Sequence, residues 1–149
     1  AKKLLMDKNR AALYPLILNT YITKFNWGYW DGYEEMPFVQ QGFMFSLYLL
    51  RMYGEQWHGA NFYANNYIKA FPMAVDEVEE SSYAEPEETL MQCYELRCLL
   101  YFMGMCGLAE VREVQVDTRR RAFELRATPL LTAAIEFQSE ILRGHDIAH

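Results

Sequence analysis

Apolar positions recur at three- and four-residue steps along most of the chain, which is the spacing of one face of an α-helix. The pattern predicts five helices, interrupted by glycine, proline and acidic stretches. Their expected ranges are 11–25, 37–53, 60–71, 86–105 and 129–143. Since proline fits a helix best in its first turn, Pro15 allows the first helix to begin as late as Tyr14.

Two of these helices are apolar on nearly every side. In the helix over 37–53 and in the later part of the helix over 86–105, few polar side chains interrupt the apolar run. Such helices are expected in the middle of a core. In the last helix the apolar residues form a stripe along one face, and Thr128 is its predicted N-cap. Its expected buried residues are Leu131, Ala134, Ile135, Gln138, Ile141 and Leu142.

The periodicity changes after residue 107. Residues 108–116 are rich in valine, and residues 122–127 alternate strictly, with Phe123 and Leu125 on one side and Glu124 and Arg126 on the other. Alternation of this kind predicts a β-strand that is buried on one face. We therefore expect a β-hairpin over 108–127 with a basic tip. The predicted fold class is mainly α with one small β-hairpin, an α+β domain.

The order of the later elements resembles that of winged helix-turn-helix domains. Three helices are followed by a Gly107-Leu108 junction, a hairpin and a closing helix, so the resemblance covers residues 37–137. It implies a winged-helix-like core at 37–128. An N-terminal helix with an aromatic loop would precede the core at 1–36, and a C-terminal helix would follow it at 129–149.

In DNA-binding winged domains the third helix enters the major groove and the wing touches the backbone. The resemblance therefore implies phosphate contacts along the wing. The residues concerned are Arg112, Arg119, Arg120, Arg121 and Arg126. The helix over 86–105 fits this role poorly, because Glu87 and Glu88 occupy its first turn and only Gln92 and Arg97 suit base reading. A solvated turn is the simpler interpretation of the basic tip.

Charge also disfavours nucleic acid as a partner. The net charge is -6, and seven acids with no base lie between Asp76 and Glu88. Nucleic-acid affinity depends on Lys and Arg, so we interpret the acidic run as a solvated loop. The longest uncharged apolar run, residues 36–50, is too short to span a membrane, and residues 1–10 do not resemble a secretory signal. We expect a cytoplasmic domain from a longer protein, without membrane contact.

Candidate chemistry is sparse. Cys93, Cys98 and Cys106 lie in one apolar helical stretch and form no Cys-x-x-Cys unit, which indicates reduced, buried thiols more than a redox sensor. No metal-ligand spacing, cofactor fingerprint or catalytic motif appears, so we expect no metal and no cofactor. An enzyme hypothesis would have to centre on His58 next to a carboxylate.

Aromatic residues are concentrated in the first half of the chain: 16 of 23 fall between Tyr21 and Phe71. Trp27, Tyr29, Trp30 and Tyr33 lie on a segment broken by two glycines. They predict either a patch that contacts a partner, since Trp and Tyr dominate interfaces, or a lid folded onto the core.

The sequence thus favours a non-enzymatic winged-helix-like domain that acts through a protein partner or as a homo-oligomer. The alternative is a DNA-binding transcription regulator that uses its basic wing. A small enzyme with a pocket at His58 is the third hypothesis.

Overall fold

The computed structural model describes residues 10–29, 35–79, 83–116 and 121–135, which form mainly helices together with a small antiparallel sheet. This architecture confirms the mainly α fold class with a small β component. The α-helices are α1 (Arg10–Thr23), α2 (Pro37–Gln41), α3 (Phe43–Tyr53), α4 (Ala60–Ala70), α5 (Pro86–Tyr94) and α6 (Pro129–Ala134). Two 3-10 turns, Trp27–Tyr29 and Pro72–Ala74, and a π-helix, Glu95–Gly104, complete the helical part.

The sheet has three strands in the order β1-β3-β2. Its strands are β1 (His58–Gly59), β2 (Ala109–Gln115) and β3 (Arg121–Ala127). The predicted hairpin and its alternation are confirmed: Leu125 is fully buried, while Glu124 and Arg126 lie on the opposite face. Strand β1 was not predicted, because two residues are too few for an alternating pattern to show.

Helix α1 begins earlier than expected. It starts at Arg10, so Pro15 lies inside the helix and not in its first turn. Proline removes the N–H that would bond to the carbonyl oxygen of Ala11. Because Ala11 and Pro15 are both exposed, water can satisfy that carbonyl group, and the helix tolerates the interruption.

The single helix expected over 37–53 is divided at Gly42 into α2 and α3. The ring of Tyr67 from α4 packs on the backbone here, and a Cβ atom at position 42 would lie 2.5–2.9 Å from its atoms. The Tyr67 hydroxyl donates a hydrogen bond to the carbonyl oxygen of Phe38 at 2.6 Å. Glycine therefore allows α4 to approach the helix pair closely.

Helix α3 is only partly buried, although its sequence is apolar on nearly every side. Leu47, Leu49 and Leu50 lie in the core. The opposite side of α3 carries exposed apolar side chains, so the expected position in the middle of the core is correct for one face only. The exposed residues are Met44, Tyr48, Met52 and Tyr53.

The helix expected over 86–105 changes form after Tyr94. From Glu95 it is a π-helix, and the N–H group of Met105 bonds to the carbonyl oxygen of Leu100, five residues back, at 3.1 Å. π-Helical segments are rare and usually only one turn long. Five residues of this segment lie in the core, namely Arg97, Cys98, Leu99, Phe102 and Met103.

The amide of Gln40 joins α2 to the end of α1. Its Nε2 donates to the carbonyl oxygens of Ile22 and Phe25, both at 2.8 Å, and its Oε1 accepts from the Trp27 N–H at 3.2 Å. The Trp27 indole N–H donates to the carbonyl oxygen of Tyr21 at 3.0 Å. These bonds satisfy the carbonyl groups that the end of α1 leaves open, and they fix the turn that follows.

Helix α6 closes the described part of the chain. Thr128 is the N-cap residue, as predicted, but its hydroxyl donates to the carbonyl oxygen of Gly107 at 2.6 Å and makes no capping bond. Leu131 is buried as expected, whereas Ala134 is exposed. The expected stripe residues Gln138, Ile141 and Leu142 lie outside the described residues.

The core contains buried thiols and buried tyrosine hydroxyls. Cys93 and Cys98 are fully buried, as predicted, and burial raises the pKa of Cys98 to about 12. The Tyr94 hydroxyl donates to Ser46 Oγ at 2.9 Å. The hydroxyl of Tyr63 is buried with no hydrogen-bond partner among the described residues.

Replacing these two tyrosines by phenylalanine should give opposite results. Tyr63→Phe removes an unpaired buried hydroxyl, so we expect an unchanged or higher free energy of unfolding. Tyr94→Phe breaks the bond to Ser46 and should lower that free energy by about 1 kcal/mol. Urea denaturation followed by circular dichroism measures both; equal losses in the two variants would contradict this account of the core.

Candidate functional site

The arginines on the strands of the hairpin are paired with carboxylates. Arg112 lies opposite Glu124, with Nε and Nη2 at 2.7 and 2.5 Å from Oε2. Arg126 lies opposite Glu110 at 2.6 Å. The antiparallel register places each base directly across from an acid on the same face of the sheet, so these two pairs carry no net charge.

Trp57 orients the same two arginines. The guanidinium carbon of Arg112 lies 4.2 Å from the centre of its ring, and that of Arg126 lies 4.9 Å away. Trp57 directly precedes β1, which brings it to the edge of the sheet beside β3. Cation–π contact and ion pairing together hold both guanidinium groups against the sheet.

The basic tip is only partly described. Arg121 donates to both carboxylate oxygens of Glu113 at 3.1 Å. Arg119 and Arg120 lie outside the described residues. All three predicted wing arginines that lie in the described residues are therefore paired with glutamates. The sequence of each strand taken alone could not show this, because the pairing depends on how the two strands align.

The helix that would read DNA has an unsuitable surface. Glu87 and Glu88 are exposed in the first turn of α5. Gln92 is exposed too, and its amide donates to Glu88 at 3.3 Å. Arg97, which we expected on the reading side, is only 2% exposed, because it lies on the same side of the helix as buried Leu90 and Tyr94, seven and three residues earlier. This burial corrects the expectation that Arg97 faces a ligand surface.

The aromatic loop divides between the core and the surface. Trp27 is buried against Phe102, with ring centres 4.8 Å apart, and against Tyr21. This burial corrects the expectation of a partner contact at Trp27 and fits the lid interpretation for that residue. Tyr29 is largely exposed, as a contact residue must be. Trp30 and Tyr33 lie outside the described residues.

A cavity of about 600 Å³ lies between the end of α1, α2 and the π-helix. Arg97 lines it beside Gly28, where a Cβ atom would lie 3.1 Å from the guanidinium group. The amide of Gln40, which also lines it, already makes the three hydrogen bonds described above. The glycine at position 28 therefore makes room for the arginine, and the cavity belongs to the packing of this turn.

A second cavity, of about 530 Å³, opens between α1 and the π-helix. Its described lining carries no charged side chain: Tyr21, Phe25, Tyr101, Met105 and Cys106. The side chain of Met105 is 79% exposed. We call this feature the apolar cavity; the long apolar run over 96–106 was its sequence signal, and we had interpreted that run as core.

Two further exposed apolar side chains lie near residues of this cavity in the chain or in space. Ile17 is exposed one helical turn before Tyr21, on the same side of α1. Leu130 is exposed next to Gly107, with its Cδ2 atom 3.5 Å from where a Cβ would stand. Together with the apolar cavity, Ile17 and Leu130 form what we call the apolar patch.

His58 stands among aromatic rings. Its ring stacks on Phe62 with centres 4.6 Å apart and meets the edges of Tyr53 and Tyr63. Within the described ranges, no hydrogen bond or ion pair joins this ring to a carboxylate, and no group of three or more metal-ligating side chains comes together.

Comparisons of the chain with protein-family models, with curated proteins and with solved structures found no match. Among the helices of the described ranges, none combines the length and the hydropathy needed to span a membrane.

If the strand arginines are held by Glu110 and Glu124, removing those acids should release them. We expect Glu110→Gln with Glu124→Gln to bind a labelled random duplex several-fold more tightly than the wild type at low salt, because phosphate affinity follows the number of unpaired bases. Fluorescence anisotropy measures the difference. The control, Glu77→Gln with Glu79→Gln, changes net charge equally; equal binding by both double variants would show that net charge alone decides.

Proposed function

We propose that this chain is a non-enzymatic, winged-helix-like domain that acts through protein contacts, and that its contact is with a second copy of itself at the apolar patch. The observation that carries the proposal is the uncharged cavity with an exposed methionine at its rim. Apolar side chains grouped on a surface mark interaction sites when they are rimmed by polar residues.

Support for the winged-helix-like scaffold comes from the order of its elements. Helix α3, strand β1, helix α4 and helix α5 with its π-helical continuation are followed by the hairpin. Strand β1 pairs with the second strand of the hairpin, giving the order β1-β3-β2. A fold of this kind does not by itself determine the function, so we infer the function from the residues on the surface.

The apolar patch is self-complementary. It offers a protruding side chain, Met105, directly beside a recess lined by the aromatic rings of Tyr21, Phe25 and Tyr101. In a two-fold dimer, each copy can insert its Met105 into the recess of the other. A thioether makes favourable contacts with aromatic rings, and the flexible methionine side chain adapts to an irregular recess.

The proposed contact extends beyond the cavity itself. A stable interface buries about 800 Å² on each partner, which is more than one cavity provides. Ile17 on α1 and Leu130 on α6 add further exposed apolar side chains. A contact of this size would cover side chains from α1, the end of the π-helix and α6.

The charge distribution favours protein contact over DNA binding. Arg112, Arg121 and Arg126 are engaged by glutamates, and Arg97 is buried. The start of α5 presents Glu87 and Glu88, which repel a phosphate backbone. The non-enzymatic part of the proposal rests on His58, which is enclosed by aromatic rings and has no orienting carboxylate among the described residues.

A charged substitution at position 105 tests the proposed contact. We expect sedimentation velocity to show a monomer–dimer equilibrium for the wild type at micromolar to submillimolar concentrations. Met105→Glu should weaken the dimer by about 30-fold or more, because a carboxylate would have to be buried against aromatic rings without a partner.

The matched control is Met73→Glu, which places the same charge on an exposed methionine of the second 3-10 turn, outside the apolar patch. Circular dichroism should show unchanged helix content in both variants. A wild type that stays monomeric throughout, or a Met105→Glu variant that dimerises as the wild type does, would overturn the proposal.

A further inference from the structure

Strand β2 forms one edge of the sheet. Within the described part of the chain it pairs with β3 alone, and its residues 110–113 are all exposed. An edge strand carries a row of N–H and C=O groups that can pair with a further strand. The direction of these groups and the charges along β2 determine which strand would fit.

The hydrogen bonds of the hairpin show which backbone groups of β2 point outward. The Thr128 N–H donates to the carbonyl oxygen of Leu108 at 3.0 Å, which continues the β2–β3 register by one residue. Bonded and non-bonded pairs alternate along an antiparallel ladder, so the even-numbered residues of β2 bond to β3 as Leu108 does. The N–H and C=O groups of Val111 and Glu113 therefore point away from β3, toward the open edge.

Ala127 on β3 shows the same alternation. It lies opposite Ala109 in the ladder, yet its N–H donates to the carbonyl oxygen of Gly54 at 2.8 Å. This bond points away from β2, as expected for a non-bonded pair. The odd-numbered residues of β2 are thus the ones whose backbone groups a further strand would meet.

The charges of β2 select a register for a second copy of the same strand. In an antiparallel pair related by a two-fold axis, the residue on the axis faces itself and its two neighbours face each other. An axis at Glu110, Arg112 or Glu113 would set a charge opposite the same charge, which is destabilising. An axis at Val111 sets Glu110 of each copy opposite Arg112 of the other.

With the axis at Val111, the ion pairs of the hairpin extend across both copies. Arg126 pairs with Glu110 at 2.6 Å, and Glu124 pairs with Arg112. In the joined sheet, each row would read Arg126, Glu110, then Arg112 and Glu124 of the second copy, so the sign alternates along four strands. The side chains of Arg112 and Glu110 are 49 and 48% exposed, which leaves each an open side for its new neighbour.

Strand β2 also lies beside the apolar patch. A Cβ atom at Gly104 would lie 3.0 Å from Val111 Cγ2, so the end of the π-helix packs on the residue at the axis. Met105, the exposed methionine of the patch, follows Gly104 directly. An axis at Val111 therefore brings the ends of the two π-helices toward each other.

We propose that two copies of this chain join through β2, paired antiparallel about Val111, so that their three-stranded sheets form one sheet of six strands. This inference rests on the proposed function, because it takes a second copy as the partner. It adds backbone hydrogen bonds and a fixed register to the apolar contact.

Proline at position 111 tests the pairing and leaves the hairpin ladder in place. The Val111 N–H points outward, and an edge strand tolerates proline at such a position. Val111→Pro removes one backbone donor from each copy, so we expect the dimer dissociation constant to rise at least tenfold in sedimentation velocity. Gln115→Pro is the matched control: its N–H also points outward, but it would face position 107, outside β2, so the dimer should be unchanged.

A cysteine at the axis gives an independent readout. In Val111→Cys, the two Cα atoms would be about 5.5 Å apart, which suits a disulfide. Oxidation by oxygen with copper–phenanthroline should link the copies, and mass spectrometry should identify a 111–111 bridge. In Gln115→Cys, the same register separates the two cysteines by about 27 Å, so a 115–115 bridge should not form.

The outcomes separate this inference from the contact at the apolar patch. A dimer that Met105→Glu weakens, but that Val111→Pro leaves unchanged and Val111→Cys does not link, would overturn the β2 pairing alone. A dimer that Val111→Pro weakens without a 111–111 bridge in Val111→Cys would overturn the register. A dimer that forms this bridge and withstands Met105→Glu would support the pairing and overturn the apolar contact, and a monomeric wild type would overturn both.

Discussion

The packing of the π-helix Glu95–Gly104 determines both the core and the surface of this domain. Phe102 receives the rings of Tyr21 and Trp27 from the N-terminal part of the chain and that of Phe43 from α3. Five residues of the same ten-residue segment are buried. Because the segment is packed on several sides, its wide turn is fixed, and the positions of its other side chains follow from it.

Two of these positions matter for function. Arg97 at the start of the segment lies inside, next to Gly28, and is only 2% exposed. Tyr101 within the π-helix and Met105 just after it line the apolar cavity. The same segment therefore holds a positive charge inside and presents a methionine beside aromatic rings.

On the hairpin, too, the positive charges of Arg112, Arg121 and Arg126 are not available to a nucleic acid, because each of these arginines is paired with a glutamate. Each exposed cross-strand pair contributes only about 0.2–1 kcal/mol to stability. Their larger effect is on the potential around the wing, where three arginines and three glutamates cancel. What distinguishes the surface of this acidic chain is thus the grouping of its apolar side chains on α1, α3 and the end of the π-helix.

Local patterns predicted much of this fold. The helix over 60–71 and the alternation of β3 depend on neighbouring residues, and both are confirmed. The packing of the Tyr67 ring on Gly42, where the helix is divided, joins residues distant in sequence, so periodicity could not reveal it. The same holds for the pairing of Arg112 with Glu124, which requires the register of two strands.

The π-helix was beyond prediction for a different reason. A helical segment that is apolar on almost every side fits the 3.6-residue turn of an α-helix and the wider turn of a π-helix equally well, so the pattern cannot distinguish the two. The expectation for Arg97 failed for another reason: it followed from the charge of the side chain, although Leu90 and Tyr94, seven and three residues earlier, are on the buried side of the same helix. The apolar cavity was missed because its residues belong to runs that were assigned to the core.

The most direct test of self-association at the apolar cavity uses a residue that is already there. Cys106 lines the cavity and is partly buried, while Cys93 and Cys98 are fully buried. If a second copy closes over the cavity, the rate at which a maleimide labels Cys106 should fall as protein concentration rises, with Cys93 and Cys98 unreactive throughout. A labelling rate at Cys106 that does not change with concentration would contradict the account.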